Sequence, residues 1–410
     1  MTALTAEPGL RAAVFRMVDV APACGNAAEL GEHLGAYLDE IPEPSSLVTR
    51  SRPILRGRLG AAASGRAAEA AVRSMADRFI VGESIDAAVP VLASLWNAGT
   101  AVTVDLLGEA TVSPAEGAVY ARRCLEALRT LQPAAERWPA RPLLERDAAG
   151  ALPRVNLSVK VTALTPLVRP QAPERAREDA GRHLLELLRV ARDVGAHLHI
   201  DMESFDSREL ILELVLDLLA REEFAAGPSA GLVLQAYLRD SEEVLERVLA
   251  WAGEAGRSVP LTVRLVKGAY WDHEVIESTQ RGWQAPVWTD KLESDRCFER
   301  LTRMLVDSFP MVRAAVASHN LRSVSYAVAY ARSRGLHPAD IELQVLRGLG
   351  DELQHALAAE GLRCRTYCPV GDLVAGMAYL VRRLLENTAN DSFLTSSGAG
   401  AGIDELLARP

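Results

Sequence analysis

The chain has 410 residues, enough for one large catalytic domain with an accessory segment. Its 45 Lys plus Arg against 54 Asp plus Glu give a formal charge of −9, which excludes nucleic acid as a main partner because phosphate binding needs a basic surface. The 49% hydrophobic and 24% charged content is that of an ordinary globular protein, and five scattered cysteines (Cys24, Cys124, Cys297, Cys364, Cys368) point to a reducing, cytosolic compartment without a disulfide framework.

Residues 1–100 are Ala-rich, and their apolar spacing predicts helices over 66–79 and 84–97 with no strand, a helical arm rather than a catalytic module. Ala3, Thr5, Glu7 and Pro8 interrupt any secretory apolar stretch, and no run of about 18 apolar residues spans a membrane. From residue 101 the texture changes. Short β-rich runs at 101–107, 155–161, 197–201, 231–237, 261–267, 314–319, 341–346 and 364–370 alternate with amphipathic stretches at 175–194, 208–222, 242–253, 298–309, 321–333, 351–360 and 373–387. Strand alternating with helix implies a parallel sheet, and eight repeats imply a closed (β/α)8 barrel over 101–395. Residues 130–153, Pro- and charge-rich with little periodicity, and 272–297 are expected as long connections, and 396–410 as a flexible Gly/Ser/Ala-rich tail.

Nearly every run ends in a group that a buried strand avoids: Asp105, Lys160, Asp201, Gln235, Arg264 with Lys267, His319, Arg347 and Tyr367. Barrels of this kind assemble their active sites from the C-terminal ends of the strands, and packing does not explain so many polar ends. The stretch Leu261–Asp272 is the most informative. Arg264 lies inside its apolar run, Lys267 closes it, Gly268 allows close backbone approach, and Tyr270 and Trp271 offer flat faces. Buried cations need anionic or electron-rich partners, so a bound anionic, aromatic cofactor fits this strand end. Near the end of the chain, Glu386 can brace both Arg382 and Arg383 from one helix face, with Tyr379 one turn back; paired arginines held this way suit a carboxylate.

Other chemistries lack their motifs. The series Gly398, Gly400, Gly402 has no strand before it, which removes a nicotinamide fingerprint, and neither a Walker loop nor a Gly-x-Ser-x-Gly elbow occurs. The eight histidines include no His-Glu-x-x-His pair; His197 and His199 share a strand face that suits either a metal or a half-buried strand.

Nine ordered motifs carry a resemblance to a known family: Asp105–Glu109, Ser158–Leu164, Ile200–Glu203, Leu234–Tyr237, Arg264–Tyr270, Ala317–Asn320, Leu343–Gly350, Tyr367–Gly371 and Tyr379–Asn387. Over about 100–395 the sequence closely resembles the proline dehydrogenase family, including the proline dehydrogenase domain of the bifunctional proline utilisation flavoproteins. The resemblance implies an α/β fold, a distorted (β/α)8 TIM barrel preceded here by the helical arm, holding FAD non-covalently. It implies oxidation of L-proline to Δ1-pyrroline-5-carboxylate by hydride transfer to flavin N5, with electrons passed to a membrane quinone, as the first step of proline catabolism to glutamate.

The resemblance also implies residue roles. Arg264 lies near flavin N5 and stabilises the reduced ring; Lys160, Arg382 and Arg383 bind the proline carboxylate, with Glu386 orienting the arginines and Asp201 tuning the Lys160 corner. Tyr270, Leu346, Tyr367 and Tyr379 wall the pyrrolidine ring. Gln235, Val266, Lys267, Gly268, Ser318, His319 and Asn320 line the cofactor, and Thr289 and Lys291 reach its adenosine end. No metal is implied. The implied setting is cytoplasmic, with transient contact at the inner membrane face; bifunctional members continue after residue 395 into an aldehyde dehydrogenase module, so the sequence is either a monofunctional enzyme, with a separate pyrroline-5-carboxylate dehydrogenase as a partner, or a piece of a bifunctional one. Ser318 stands where the family usually has Thr, Arg347 where many members have His, and Met202 where a smaller residue is common; Arg347 and Met202 are the features that could shift specificity toward hydroxyproline or pipecolate.

Overall fold

The structure, a computed structural model, describes residues 20–41, 58–108, 111–372 and 402–410, together with 9, 12, 13, 16, 17 and 376. In chain order its strands are β1 (Ala101–Leu106), β2 (Arg146–Asp147), β3 (Gly150–Ala151), β4 (Asn156–Lys160), β5 (His197–Asp201), β6 (Ser229–Gln235), β7 (Leu261–Val266), β8 (Val312–Ala317), β9 (Glu342–Leu346) and β10 (Cys364–Val370). All but β2 and β3 close into one parallel barrel in the order β1-β10-β9-β8-β7-β6-β5-β4. These strands are covered on both faces, by helices outside and side chains inside, and therefore read as continuous apolar runs rather than alternating ones. All eight barrel strands fall on the expected runs, within two residues at each end.

Register sets which strand-end groups meet. Lys160 of β4 lies beside Asp201 of β5, and Asp105 of β1 lies beside Ser158 of β4. Arg264 of β7 pairs with Val233 and Ala315, and Gln344 of β9 pairs with Arg365 of β10.

The expected irregular connection over 130–153 is corrected by the structure. A helix spans Pro114–Glu136, a one-turn helix follows at Pro142–Glu145, and β2 and β3 form an antiparallel hairpin. Ser113 caps the long helix by accepting from Glu116 N at 3.3 Å, Pro114 begins it, and Tyr120, Cys124, Leu128 and Leu131 form its buried face. Pro133 in its last turn hid that periodicity from the sequence. The hairpin carries Asp147 into the N-terminal end of the barrel, where both its oxygens meet Arg313 (2.7 and 2.9 Å) and one also meets Arg363 at 3.3 Å. Likewise, 272–297 is partly helical: Trp271–Arg281 is a helix, and Lys291–Asp307 begins seven residues before the expected 298.

The predicted arm helices are observed over Arg58–Phe79 and Ile85–Asn97, with a further one at Ala27–Asp39. Phe79, Ile80 and Leu107 share an apolar cluster with Met17 and Leu30, so the arm rests on the C-terminal end of β1. Val81 N donates to Pro369 O at 2.9 Å and Gly371 N to Gly82 O at 3.0 Å, tying the arm to the end of β10. At the turn after β9, Gly348 has φ +80°, and a Cβ there would stand 2.7 Å from the Phe79 ring, so glycine lets the arm close on the barrel mouth. At the other terminus, residues 402–410 differ from the expected flexible tail. They carry a short helix, Ile403–Leu406, and their carbonyls accept from Arg296 (3.1 Å, Pro410 O) and Arg322 (3.4 Å, Leu407 O).

Candidate active site

The C-terminal ends of β1, β4, β5, β7, β9 and β10 converge on one charged cluster. The Lys160 ammonium is ion-paired with Asp105 and lies 3.8 Å from Asp201 Oδ2. Asp201 is the hub: its Oδ1 accepts from Ser158 Oγ at 2.7 Å and from Arg264 Nη1 at 2.8 Å, and its Oδ2 accepts from Tyr367 OH at 2.9 Å. Arg264 also donates from Nη1 to Ser158 Oγ at 3.1 Å and from Nε to Gln344 Oε1 at 2.7 Å, while its guanidinium stands 5.3 Å from the Tyr367 ring. Its Nη2 is buried and, among the described residues, has no hydrogen-bond partner. Burial works against the Lys160 ammonium, but Asp105 and Asp201 outweigh it and push the lysine pKa above its ordinary value, so Lys160 stays charged.

Beside this cluster, Gln235 donates to Glu203 O at 2.8 Å, and its Oε1 is buried without a partner among the described residues. Glu203 accepts from Tyr270 OH at 3.3 Å and from the Thr162 hydroxyl, so Tyr270 is anchored at the rim. Lys267 pairs with Asp295, which also accepts from Lys291 at 3.1 Å. Burial lowers the Lys267 pKa, and Asp295 opposes that shift. Thr289 is exposed just ahead of Lys291. Ser318 Oγ accepts from Asn320 N at 3.1 Å, and the Asn320 side chain caps the helix Leu321–Ser333 by accepting from Ser323 N at 3.0 Å. His319 Nε2 accepts from Leu346 N at 2.9 Å, which places its ring proton on Nδ1 and ties the ends of β8 and β9. Val266 and Leu346 are partly buried at their strand ends.

Gly268 turns the chain after β7 with φ +130°, and a Cβ there would lie 2.5 Å from the Tyr237 ring. Gly268→Ala is therefore expected to displace the Lys267–Tyr270 turn or Tyr237 and to cost about 1–3 kcal/mol. A thermal melt reads that loss, and a melting temperature equal to wild type would show that the turn relaxes freely.

The structure thus brings Lys160, Asp201, Arg264 and Tyr367 together, and joins Lys267 to Lys291 through Asp295. Tyr379, Arg382, Arg383 and Glu386, with the helix expected over 373–387, lie outside the described residues. Met202 is buried at 7% exposure, and Arg347 has a buried Nε without a partner among the described residues. His197 and His199 point into the barrel and bond each other at 3.1 Å, with His197 also bonded to Ser229 Oγ at 2.8 Å. Burial pushes His197 down to about 3, and among the described residues no set of His, Cys, Asp and Glu is grouped to hold a metal. Cys364 and Cys368 are buried, with burial pushing each thiol up to about 12, as expected of core cysteines.

The sequence alone assigned no role to Ser158, Glu203, Asp295 or Gln344, and marked Asp105 as a polar strand end and the start of a family motif without a role. Asp105 and Gln344 are polar residues inside apolar runs, and each falls within one of the family motifs.

Comparison with known proteins agrees with this geometry. The proline dehydrogenase family profile matches residues 88–396, and that of the proline utilization A N-terminal domain matches residues 1–79. The bifunctional protein PutA of Escherichia coli (strain K12) is 30% identical over 393 residues, covering 94% of this chain and 29% of that protein. Proline dehydrogenase 1 of Bacillus subtilis (strain 168) is 27% identical over 319 residues, covering 78% of this chain and 89% of that protein. The crystal structure of proline utilization A from Bdellovibrio bacteriovorus, inactivated by N-propargylglycine, superposes with a TM-score of 0.89 at 36% identity, over 100% of this chain and 40% of that one. The chain therefore spans less than a third of the bifunctional E. coli protein and two-fifths of the Bdellovibrio chain. With a family match across 88–396 on a closed parallel barrel whose strand ends gather lysine, arginine and aspartate, this chain belongs to the proline dehydrogenase family.

Proposed function

We propose that the chain is an FAD-dependent proline dehydrogenase that oxidises L-proline to Δ1-pyrroline-5-carboxylate and passes the electrons to a membrane quinone. The observation that carries this reading is the Lys160–Asp201–Arg264 cluster: two cations held at the barrel mouth by the buried Asp105 and the partly buried Asp201, on a chain of this family. The residues suit the cofactor. The unpartnered Arg264 Nη2 offers a donor and the unpartnered Gln235 Oε1 an acceptor, complementary to the polar edge of an isoalloxazine ring. Gln235, Val266, Lys267, Gly268, Ser318, His319 and Asn320 would hold it, with Thr289 and Lys291 toward the adenosine end. Bound FAD supplies the two-electron acceptor that oxidation of the proline C–N unit requires.

The chain's own residues bind and orient. Lys160, kept charged by Asp105 and Asp201, grips the proline carboxylate together with Arg382 and Arg383, which Glu386 orients. Clamping the carboxylate fixes the ring between Tyr270, Leu346, Tyr367 and Tyr379, so the reacting C–H meets the cofactor in one orientation. Arg264, held by Asp201 and Gln344, keeps a positive charge where the reduced ring accumulates negative charge. Among the described residues no helix is long and apolar enough to cross a membrane. Electron delivery in this reading occurs by transient contact at the inner face of the membrane, and a pyrroline-5-carboxylate dehydrogenase activity consumes the product.

The test is an anaerobic absorbance spectrum of the purified, FAD-reconstituted chain, before and after L-proline. The flavin band should bleach with L-proline more readily than with hydroxyproline or pipecolate. A band that bleaches only with one of those moves the substrate, and absence of a flavin band after reconstitution refutes the reading.

A further inference from the structure

We propose that Gln344 is a positioning residue for Arg264, a neutral relay that fixes the guanidinium without adding a second carboxylate against it. The inference rests on the proposed function, in which Arg264 faces the flavin.

Gln344 and Glu342 lie two apart on β9 and share its inner face, where a strand's period of two places them one above the other. The Gln344 amide bridges two ionised groups: its Oε1 accepts from Arg264 Nε at 2.7 Å, and its Nε2 donates to Glu342 Oε1 at 2.6 Å. A guanidinium only donates and a carboxylate only accepts, so the amide has one orientation that satisfies both neighbours. Glu342 is anchored in turn. Its Oε1 accepts from Arg365 Nε at 2.8 Å, its Oε2 lies 3.7 Å from Arg363 Nε, and Arg365 Nη1 donates to Val102 O at 2.7 Å. Arg264, Glu342, Gln344 and Arg365 are each no more than 5% exposed, so water does not compete for these bonds. Burial resists the Glu342 charge, but Arg365 and Arg363 overcome it and hold its pKa down to about 2, so the relay ends on a permanent carboxylate.

The relay chooses how much of the Arg264 charge is cancelled. Arg264 has one carboxylate partner, Asp201, while its Nε bond goes to a neutral amide and its Nη2 stays unpartnered among the described residues. A carboxylate at 344 would leave the guanidinium between two anions and weaken the field it presents at the barrel mouth. An apolar residue at 344 would remove the Nε anchor and let the head pivot about Asp201.

The experiment compares the full chain, reconstituted with FAD, as wild type, Gln344→Leu and Gln344→Glu. Readouts are the midpoint potential of bound FAD by anaerobic reductive titration, kcat and KM for L-proline, and melting temperature. Gln344→Glu should lower the midpoint potential, because cancelling the cation destabilises the anionic reduced ring. Gln344→Leu should lower kcat about tenfold or more with a smaller change in KM, since the carboxylate grip is elsewhere. A purely structural role would lower the melting temperature and leave both the potential and kcat per bound flavin at wild-type values, and that result overturns the inference. If Gln344→Leu does not fold, an unchanged potential in Gln344→Glu overturns it alone. A wild-type chain that takes up no FAD removes the proposed function and this inference with it, whereas a wild type that bleaches with proline beside unaltered variants removes only the inference.

Discussion

Lys160→Met should raise the proline concentration needed for half-maximal flavin bleaching by roughly 100-fold, because one partner of a desolvated charge pair is worth about 2–5 kcal/mol. The loss has two sources. In the proposed reading the ammonium meets the substrate carboxylate, and a thioether of similar length keeps the packing while removing that contact. The ammonium also compensates Asp105, which is completely buried, pairs with Lys160 through Oδ1, and has no hydrogen-bond partner for Oδ2 among the described residues. Leaving that carboxylate alone costs about 3–5 kcal/mol unless it takes up a proton, so the variant should also melt earlier. Its two carboxylates raise the Lys160 pKa above the ordinary lysine value. The stabilisation of the ammonium is then fully present below that ordinary value and fades only as pH climbs through the folded-state pKa. The wild-type side of the comparison should accordingly be flat across neutral pH. Bleaching titrations at several proline concentrations, with melts alongside, check both halves. An unaltered proline dependence would remove Lys160 from the substrate site even if the melt shifted.

Asp147→Ala, at the opposite end of the barrel, should cost about 3–5 kcal/mol of stability with little effect on the chemistry. Asp147 is the hairpin residue whose two oxygens meet Arg313 and Arg363, both 2% exposed. Without it, Arg313 keeps a 3.4 Å bond to Ala151 O, and Arg363 keeps Glu342 at 3.7 Å. Two guanidinium groups would then be buried with too little negative charge. Water entering under the hairpin would relieve part of this, so the fall in melting temperature should be roughly 5–10 °C. Thermal and urea melts measure it. A melt within a degree of wild type would mean that the hairpin is a loose cover and not a plug. Asp147→Asn, which keeps the shape and one acceptor, should fall between the two.

Much of the architecture is legible along the chain because its signals are local. A parallel strand buried on both faces must be a short apolar run, and a helix packed on it must be amphipathic, so the eight barrel strands and the six expected helical stretches that fall on described residues coincide with observed elements, one of them beginning seven residues early; the seventh, 373–387, lies outside the described residues. The polar strand ends Lys160, Asp201, Arg264 and Lys267 also stand out locally, because each breaks an apolar run where a strand would avoid charge. The helix Pro114–Glu136 was hidden because Pro133 and the charges around it blur a period that its buried face nonetheless keeps. The hairpin at β2 and β3 was hidden because two-residue strands have no period at all.

What the sequence by itself determined is the α/β barrel and the cations that stand at the C-terminal ends of its strands. Only the tertiary structure decided how those charges are compensated. Asp105 meets Lys160 across 55 positions, Gln344 meets Arg264 across 80, and Asp147 meets Arg313 across 166. Periodicity reports each residue's relation to its near neighbours in the chain. The pairing of buried charges depends on which strands become adjacent, and at what register, when the barrel closes.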